Sequence, residues 1–488
     1  MIRRIFKFLA WTFVGLIATG VLLYAVGFRV QLDGGGMPNL VRVRSEEDRA
    51  EAIARHREAQ RAATPTPVAQ DAAPVAAAPA SVPPLPAVAD TVPKPSAPID
   101  RISTRYWTDF RGPARDGHFQ QTAIKTDWPQ QGLKPLWKQP IGAGYASFVI
   151  ADGRAFTIEQ RGPNEVAAAY DVLTGRELWT NTWRAAFRES MGGDGPRATP
   201  VWSEGRVYAL GAEGELRCLD DATGKMLWRT NILDDHGAEN IQWGVSASPL
   251  IVDNTIVVLP GGRKGSSVAA YDRVTGKRVW AALDDQAAYS SPMLVTLGGV
   301  RQLLVFTASR LVGLTPSSGE LLWEFPWKTQ FDINASQPLV IGDNRVFVSS
   351  GYGTGAAVIE LTPAAQGFSV REVWRNIRMK NQFSSSVLHE GYIYGLDESI
   401  LACIDAANGE PKWKGGRYGY GQIMLASGHL IVLTESGELA LVRAAPTRHE
   451  ELVRFPVLDG KTWNHPAMSD GYLLIRNINE MAAFDLRK

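Results

Sequence analysis

The side chains able to do chemistry are spread along 488 residues rather than gathered in the spacings that reactions require. The seven histidines include no His-x-His and no His-Glu-x-x-His, the patterns that put two imidazoles on one metal ion. The two cysteines, Cys218 and Cys403, cannot make a disulfide framework or a thiolate metal site, which need ligands in fours or tight pairs. No Ser-His-Asp arrangement or isolated acid pair stands out. What remains is a polar and aromatic set: Arg197, Trp243, Tyr289, Asn334, Asn381, Tyr420 and Asn464, beside Asp194, Asp284, Asp285 and Asp332, with His465 nearby. These residue types suit a ligand or partner surface. They equally suit the duller task of satisfying backbone groups at strand starts and stacking on neighbours.

The set acquires a common address from a repeat. Aligned on tryptophan, the chain gives Tyr170-Asp-Val-Leu-Thr-Gly-Arg-Glu-Leu-Trp179, Leu219-Asp-Asp-Ala-Thr-Gly-Lys-Met-Leu-Trp228, Tyr271-Asp-Arg-Val-Thr-Gly-Lys-Arg-Val-Trp280, Leu314-Thr-Pro-Ser-Ser-Gly-Glu-Leu-Leu-Trp323 and Ile404-Asp-Ala-Ala-Asn-Gly-Glu-Pro-Lys-Trp413. Weaker copies end at Trp374 and Phe455. The spacing of roughly 40 to 50 residues is the length of one four-stranded propeller blade. Each copy is a hairpin: the Asp accepts backbone N–H bonds across the turn, Thr-Gly or Asn-Gly permits a positive φ, and the following strand carries a large aromatic anchor.

Third strands near Ala169, Cys218, Ala270, Gly313, Ile359, Cys403, Leu441 and Ala483 predict eight blades, all-β. The last lacks a fourth strand, while Leu133-Lys-Pro-Leu-Trp137 is an outer strand without a hairpin partner. Pairing the two closes the ring and removes both open edges. In such a ring the loops feeding the innermost strands converge on the axis, which gathers the polar and aromatic set into a funnel. Cys218 and Cys403 fall about four blades apart as small buried residues, too distant to pair. The glycine-rich stretches Pro260-Gly-Gly-Arg-Lys-Gly265 and Gly351-Tyr-Gly-Thr-Gly355 lie between strands, so they are read as turns rather than phosphate cradles. Arg417-Tyr-Gly-Tyr-Gly421 precedes an inner strand and is better placed for the funnel.

The N-terminal fifth is different. Residues 8–28 carry no charge and can cross a hydrocarbon core of roughly 30 Å as a helix. Arg3, Arg4 and Lys7 precede the run and no Ala-x-Ala follows it, which predicts an uncleaved inner-membrane anchor with a cytoplasmic N-terminus and a periplasmic or extracellular body. Residues 1–32 are therefore stub and anchor. Residues 33–63 hold a short charged helix opening near Ser45, and residues 64–100 form an Ala/Pro-rich linker reaching on the order of 100 Å if straight. The propeller occupies residues 101–488. Lys plus Arg number 51 against 50 Asp plus Glu, which supplies no field for attracting nucleic acid.

The repeats, with the opening Trp107-Thr-Asp-Phe-Arg-Gly-Pro-Ala-Arg-Asp-Gly117, resemble the bacterial quinoprotein-like propeller family with PQQ-like repeats, from about Tyr106 to the C-terminus. The resemblance implies an eight-bladed ring. It also implies one of two functions, because the family holds pyrroloquinoline-quinone (PQQ) dehydrogenases and non-catalytic scaffolds similar to the propeller lipoprotein of the outer-membrane protein assembly machine. Quinoprotein alcohol dehydrogenases carry adjacent cysteines and a calcium ion held by Glu, Asn and Asp, and this chain lacks the adjacent cysteines. The expected function is thus a membrane-tethered scaffold for a protein partner in the envelope, without catalytic residues or a cofactor. A PQQ-dependent oxidoreductase, and a small-molecule or glycan sensor, are the alternatives. No lipidation cysteine stands near the N-terminus, a departure from the assembly-factor branch.

Overall fold

The computed structural model describes residues 2–32, 38–42, 46–63, 106–365 and 367–488. The chain opens with helix α1 (Ile2–Ala25), a hairpin of β1 (Phe28–Leu32) and β2 (Pro38–Arg42), and helix α2 (Glu46–Ala63). Among the described residues, which include the α1 side chains from Trp11 onward, no helix is long and apolar enough to cross a membrane. The Ala/Pro-rich linker, 64–100, lies outside the described residues.

From residue 149 the described chain builds eight blades in succession, seven of them with four antiparallel strands paired in sequence order and the last with three, its fourth strand coming from earlier in the chain. We number these blades 1 (149–184), 2 (201–231), 3 (250–282), 4 (293–326), 5 (339–376), 6 (387–417), 7 (422–456) and 8 (467–485). The second and third strands of each blade read as apolar runs because both of their faces pack on neighbouring blades: Glu215–Asp220 is buried at its four central residues. The outer strands are far more exposed, as in Met226–Asn231. All eight third-strand positions expected from the repeat lie in third strands. Cys218 and Cys403 are free and buried in blades 2 and 6. Burial pushes their thiols up to about 11 and about 12, so both are inert at neutral pH.

The tryptophans hold blade to blade. Trp179 of blade 1 lies over the turn glycine of blade 2, and a Cβ at Gly224 (φ +70°) would meet its ring at 2.5 Å, so only glycine fits. The indole N–H donates to the Asp221 carbonyl at 2.8 Å. Trp137, Trp228 and Trp374 repeat this arrangement on Val172, Arg273 and Ala406, and Trp413 donates to Ala445. Trp280 covers Gly319. Trp323 departs from the expected pattern. It is turned into its own blade, 4 % exposed, with its N–H on Gln302 Oε1 at 2.5 Å, because Gly313 opposite leaves room for the ring.

The ring closes as the unpaired termini require. The strand Trp137–Pro140 completes blade 8 by pairing antiparallel with Glu480–Asp485, Trp137 opposite Ala483. Ahead of it, His118–Phe119 adds a fifth strand to blade 7, parallel to Gln422–Ala426.

Candidate functional site

The loops that enter the innermost strands converge on the axis and enclose a cavity of about 680 Å³. Each contributes a side chain to the wall, and neighbouring loops are tied backbone to backbone, as where the Tyr145 N–H donates to the Pro196 carbonyl at 2.8 Å and the Tyr289 N–H to the Asn334 carbonyl at 3.0 Å. Tyr145, Arg197, Trp243, Tyr289, Ile333, Phe383, Tyr420 and Trp463 come from the eight successive loops. The rings brace one another: Trp243 meets Tyr289 edge to face at 5.6 Å, Phe383 lies 4.4 Å from Trp463 and 5.5 Å from Tyr420, and Tyr145 lies 5.4 Å from Trp463. Phe331 and Met191 stand at the rim, 57 % and 44 % exposed.

The other end of the channel is plugged by the segment after Tyr106. Trp107 bridges to Ile150 on the inner strand of blade 1. Arg111 and Arg115 are fully buried and donate to carbonyls at the entries of inner strands, Arg111 to Ser386 at 2.7 Å, Arg115 to Pro292 at 2.9 Å and to Pro249. Phe110 projects from this plug into the cavity and packs edge-on against His465 at 5.8 Å. The channel is therefore a cup. Its aromatic wall is interrupted by few charges.

Arg197 is the cation. It donates to the carbonyls of Gly195 and Gly193 and lies 4.4 Å above the Phe187 ring, and burial holds its pKa below the usual arginine range. Glu398 is the one carboxylate on the described wall. Behind the wall, Glu435 accepts from Trp463 Nε1 at 2.9 Å and from the Tyr420 backbone N–H at 3.1 Å, holding the indole and the loop that carries Tyr420. Burial pushes the Tyr289 hydroxyl up to about 12 and holds His465 down at about 3, so both are neutral at pH 7. Groups neutral over the whole physiological range suit recognition better than proton transfer.

Four of the seven residues expected at the funnel line it: Arg197, Trp243, Tyr289 and Tyr420. The three asparagines do not. Asn334 donates to the Thr307 and Ala308 carbonyls, Asn381 to Leu396, and Asn464 to Gly144 and Ala146, each fully buried as a loop brace. Their neighbours Ile333, Phe383, Trp463 and His465 take the wall positions instead. Asp194 pairs with Arg49 and Asp285 with Arg310, and Asp284 accepts from the Gly265 N–H; none reaches the cavity. Phe110, Tyr145, Phe331 and Tyr352 were not anticipated. Tyr145 follows the loop Gly142-Ala-Gly144 and Tyr352 sits in Gly351–Gly355, so an aromatic within a glycine-rich loop was the available signal.

Calcium takes six to eight oxygens, several of them carboxylate. Among the described residues no group of three or more His, Cys, Asp or Glu could hold a metal ion, and Glu398 alone brings a carboxylate to the wall. The donor set does not fit a calcium-held quinone.

Residues 162–415 match the family described as "Outer membrane protein assembly factor BamB". Among curated proteins, the outer membrane protein assembly factor BamB of Bordetella pertussis is 21 % identical over 61 % of this chain and 72 % of its own length. Quinohemoprotein alcohol dehydrogenase ADH-IIG of Pseudomonas putida is 29 % identical over 31 % of this chain, and the match spans only 21 % of the dehydrogenase's length. Among solved structures, BamB from Moraxella catarrhalis superposes with a TM-score of 0.53 at 13 % identity, covering 72 % of this chain and 99 % of that one. Quinohemoprotein alcohol dehydrogenase from Comamonas testosteroni gives 0.57 at 13 % identity, covering 79 % and 81 %. At such identities the superpositions establish the propeller fold.

Proposed function

This chain belongs to the family of outer membrane protein assembly factor BamB, and from that premise we propose that it is a membrane-anchored scaffold of the cell envelope whose funnel receives a segment of a protein partner. The observation that carries the reading is the make-up of the cup: a braced concave wall rich in Trp, Tyr and Phe, with Arg197 and Glu398 as its charges and Ser and Gln side chains between the rings. Trp, Tyr and Arg dominate binding energy when they fill or line desolvated pockets, because they offer large contact area with few rotamers to freeze. A similarity to the assembly-factor relatives over most of their length supports a non-catalytic role.

The anchor belongs to this proposal. The uncharged run of residues 8–28 and the basic residues ahead of it support a single inner-membrane span with the propeller outside the cytoplasm. In α1, Trp11, Phe13, Leu16 and Leu22 are all more than 60 % exposed, apolar surface that a bilayer would cover.

The quinohemoprotein relatives support one competing reading, a quinone held by Arg197 and stacked on Trp243 without calcium. Titrating PQQ, with and without calcium, into the full chain in detergent while following tryptophan fluorescence separates the two. The scaffold reading expects no saturable quenching below about millimolar PQQ. Micromolar binding that is lost in Trp243→Ala would replace it with the oxidoreductase.

A further inference from the structure

Helix α2 is polar along most of its length, yet one side of it is buried against the propeller. Ile53 is 4 % and Arg57 5 % exposed. Its first turns hold the loop 185–200, the loop that supplies Met191 and Arg197 to the funnel wall: Glu46 accepts from Arg188 Nε at 3.2 Å and Nη2 at 2.8 Å, and Arg49 lies 3.9 Å from Asp194. Further along, His56 and Gln60 meet Gln139 of the closing strand at 2.8 and 2.9 Å. Arg57 pairs with Glu177 of blade 1 at 3.2 Å and lies 5.0 Å over the Tyr170 ring. The helix thus runs from the funnel rim along the joint where blade 8 meets blade 1. The exposed Glu46–Arg188 pair contributes little by itself, whereas the buried Arg57 and Ile53 contacts are costly to break.

The path from α1 to this helix is short because it folds back on itself. In the β1–β2 hairpin Phe28 pairs with Arg42, so Ala25 reaches Glu46 through three residue steps, one strand spacing and four residue steps. That is about 30 Å at full stretch. Residues 64–105 add nothing to this reach, because both flanks of that segment sit on the ring, the upstream one through α2 and the downstream one through Tyr106, edge to face with Trp202 at 5.2 Å.

We infer that α2 is an intramolecular clamp that holds the funnel mouth toward the membrane from which α1 emerges, so that the funnel's occupant is a protein segment at that same membrane surface. The inference rests on the anchor reading above, and the test separates the two.

The full chain is reconstituted into vesicles whose headgroups carry nitroxide quenchers, with a fluorophore on Phe331→Cys at the funnel rim or on Val274→Cys. Val274 is 53 % exposed in the blade 3 hairpin turn, at the opposite ends of the strands from the funnel loops. The native thiols are buried and unreactive, so labelling is selective. The clamp predicts quenching at least several-fold stronger at residue 331 than at 274. In a chain carrying Ile53→Asp and Arg57→Glu, which alter α2 and leave the ring intact, the difference should collapse. Equal quenching in a chain that floats with the vesicles overturns the clamp alone, as does a difference that survives the double substitution. A chain that fails to float removes the anchor, and the clamp's orienting role with it.

Discussion

Arg115 Nη2 lies 2.8 Å from Asp109 Oδ1, and the same guanidinium donates through Nη1 to the carbonyls of Ser248 at 3.3 Å and Pro292 at 2.9 Å. One side chain thereby joins the plug to the entries of blades 3 and 4 and closes the channel beneath the cavity. A propeller channel left open at both ends would conduct water through the funnel. Closed at one end, it presents a cup whose wall mixes aromatic rings with serine and glutamine side chains, concave enough to desolvate a partner side chain on entry.

Arg115→Ala leaves Asp109 unpaired and strips carbonyl oxygens of their buried donor. The expected loss is about 3 kcal/mol of stability, read as a lower guanidinium unfolding midpoint. Combining it with Asp109→Ala should cost less than the two single losses added together, since the second substitution removes the stranded charge. Strict additivity would show that the pair is not coupled.

The blade-to-blade tryptophans separate a ring's packing from its hydrogen bond. Trp228 donates to the Arg273 carbonyl at 3.0 Å, whereas the Trp280 N–H has no partner among the described residues although it occupies the same position one blade later. Trp228→Phe is expected to cost about 1 kcal/mol more than Trp280→Phe, because the first gives up one of the donors to the Arg273 carbonyl, which keeps Tyr208 Oη at 3.0 Å, whereas the second removes a buried donor that had no acceptor. Equal melting shifts in the two variants would contradict this.

Glu165 is fully buried, accepting from the Ala212 N–H at 2.9 Å and from Trp183 Nε1 at 3.0 Å. Desolvation nevertheless dominates and pushes its carboxyl up from an ordinary 4.5 to about 7. The folded state then binds more protons than the unfolded one between these values, so stability falls as pH rises through that window and the penalty is complete above about pH 7. It amounts to about 3 kcal/mol at most. The melting temperature of the unmodified chain should drop more between pH 5 and pH 8 than that of Glu165→Gln. Parallel curves would place the titrating group elsewhere.

Architecture was legible in the sequence because the same mechanical problem recurs in blade after blade. A turn glycine must accept the neighbouring blade's tryptophan, and an Asp must hold the turn: Asp171 Oδ1 accepts from the Leu173 and Thr174 N–H groups at 3.1 and 2.8 Å. The site was only half legible. Successive residues entering a strand face opposite ways, so an asparagine and its neighbour exchange wall and brace roles with a shift of one residue, as Trp463 and Asn464 do. No period flags the plug, whose partners lie far along the chain, Arg111 to Ser386 for example. The docking of α2 was hidden for a different reason. It rests on one apolar residue and several long polar ones, too thin a stripe for hydrophobic patterning to show.

The most direct test of the funnel as a partner site is photocrosslinking in native membranes from a benzophenone side chain placed at residue 331 on the rim, with residue 274 on the opposite face as control. The account predicts a discrete protein adduct from 331, none of the same mass from 274, and loss of the adduct when Trp243→Ala is added without change in the melting temperature beyond a few degrees. The same adduct from both faces, or one indifferent to Trp243, would contradict it.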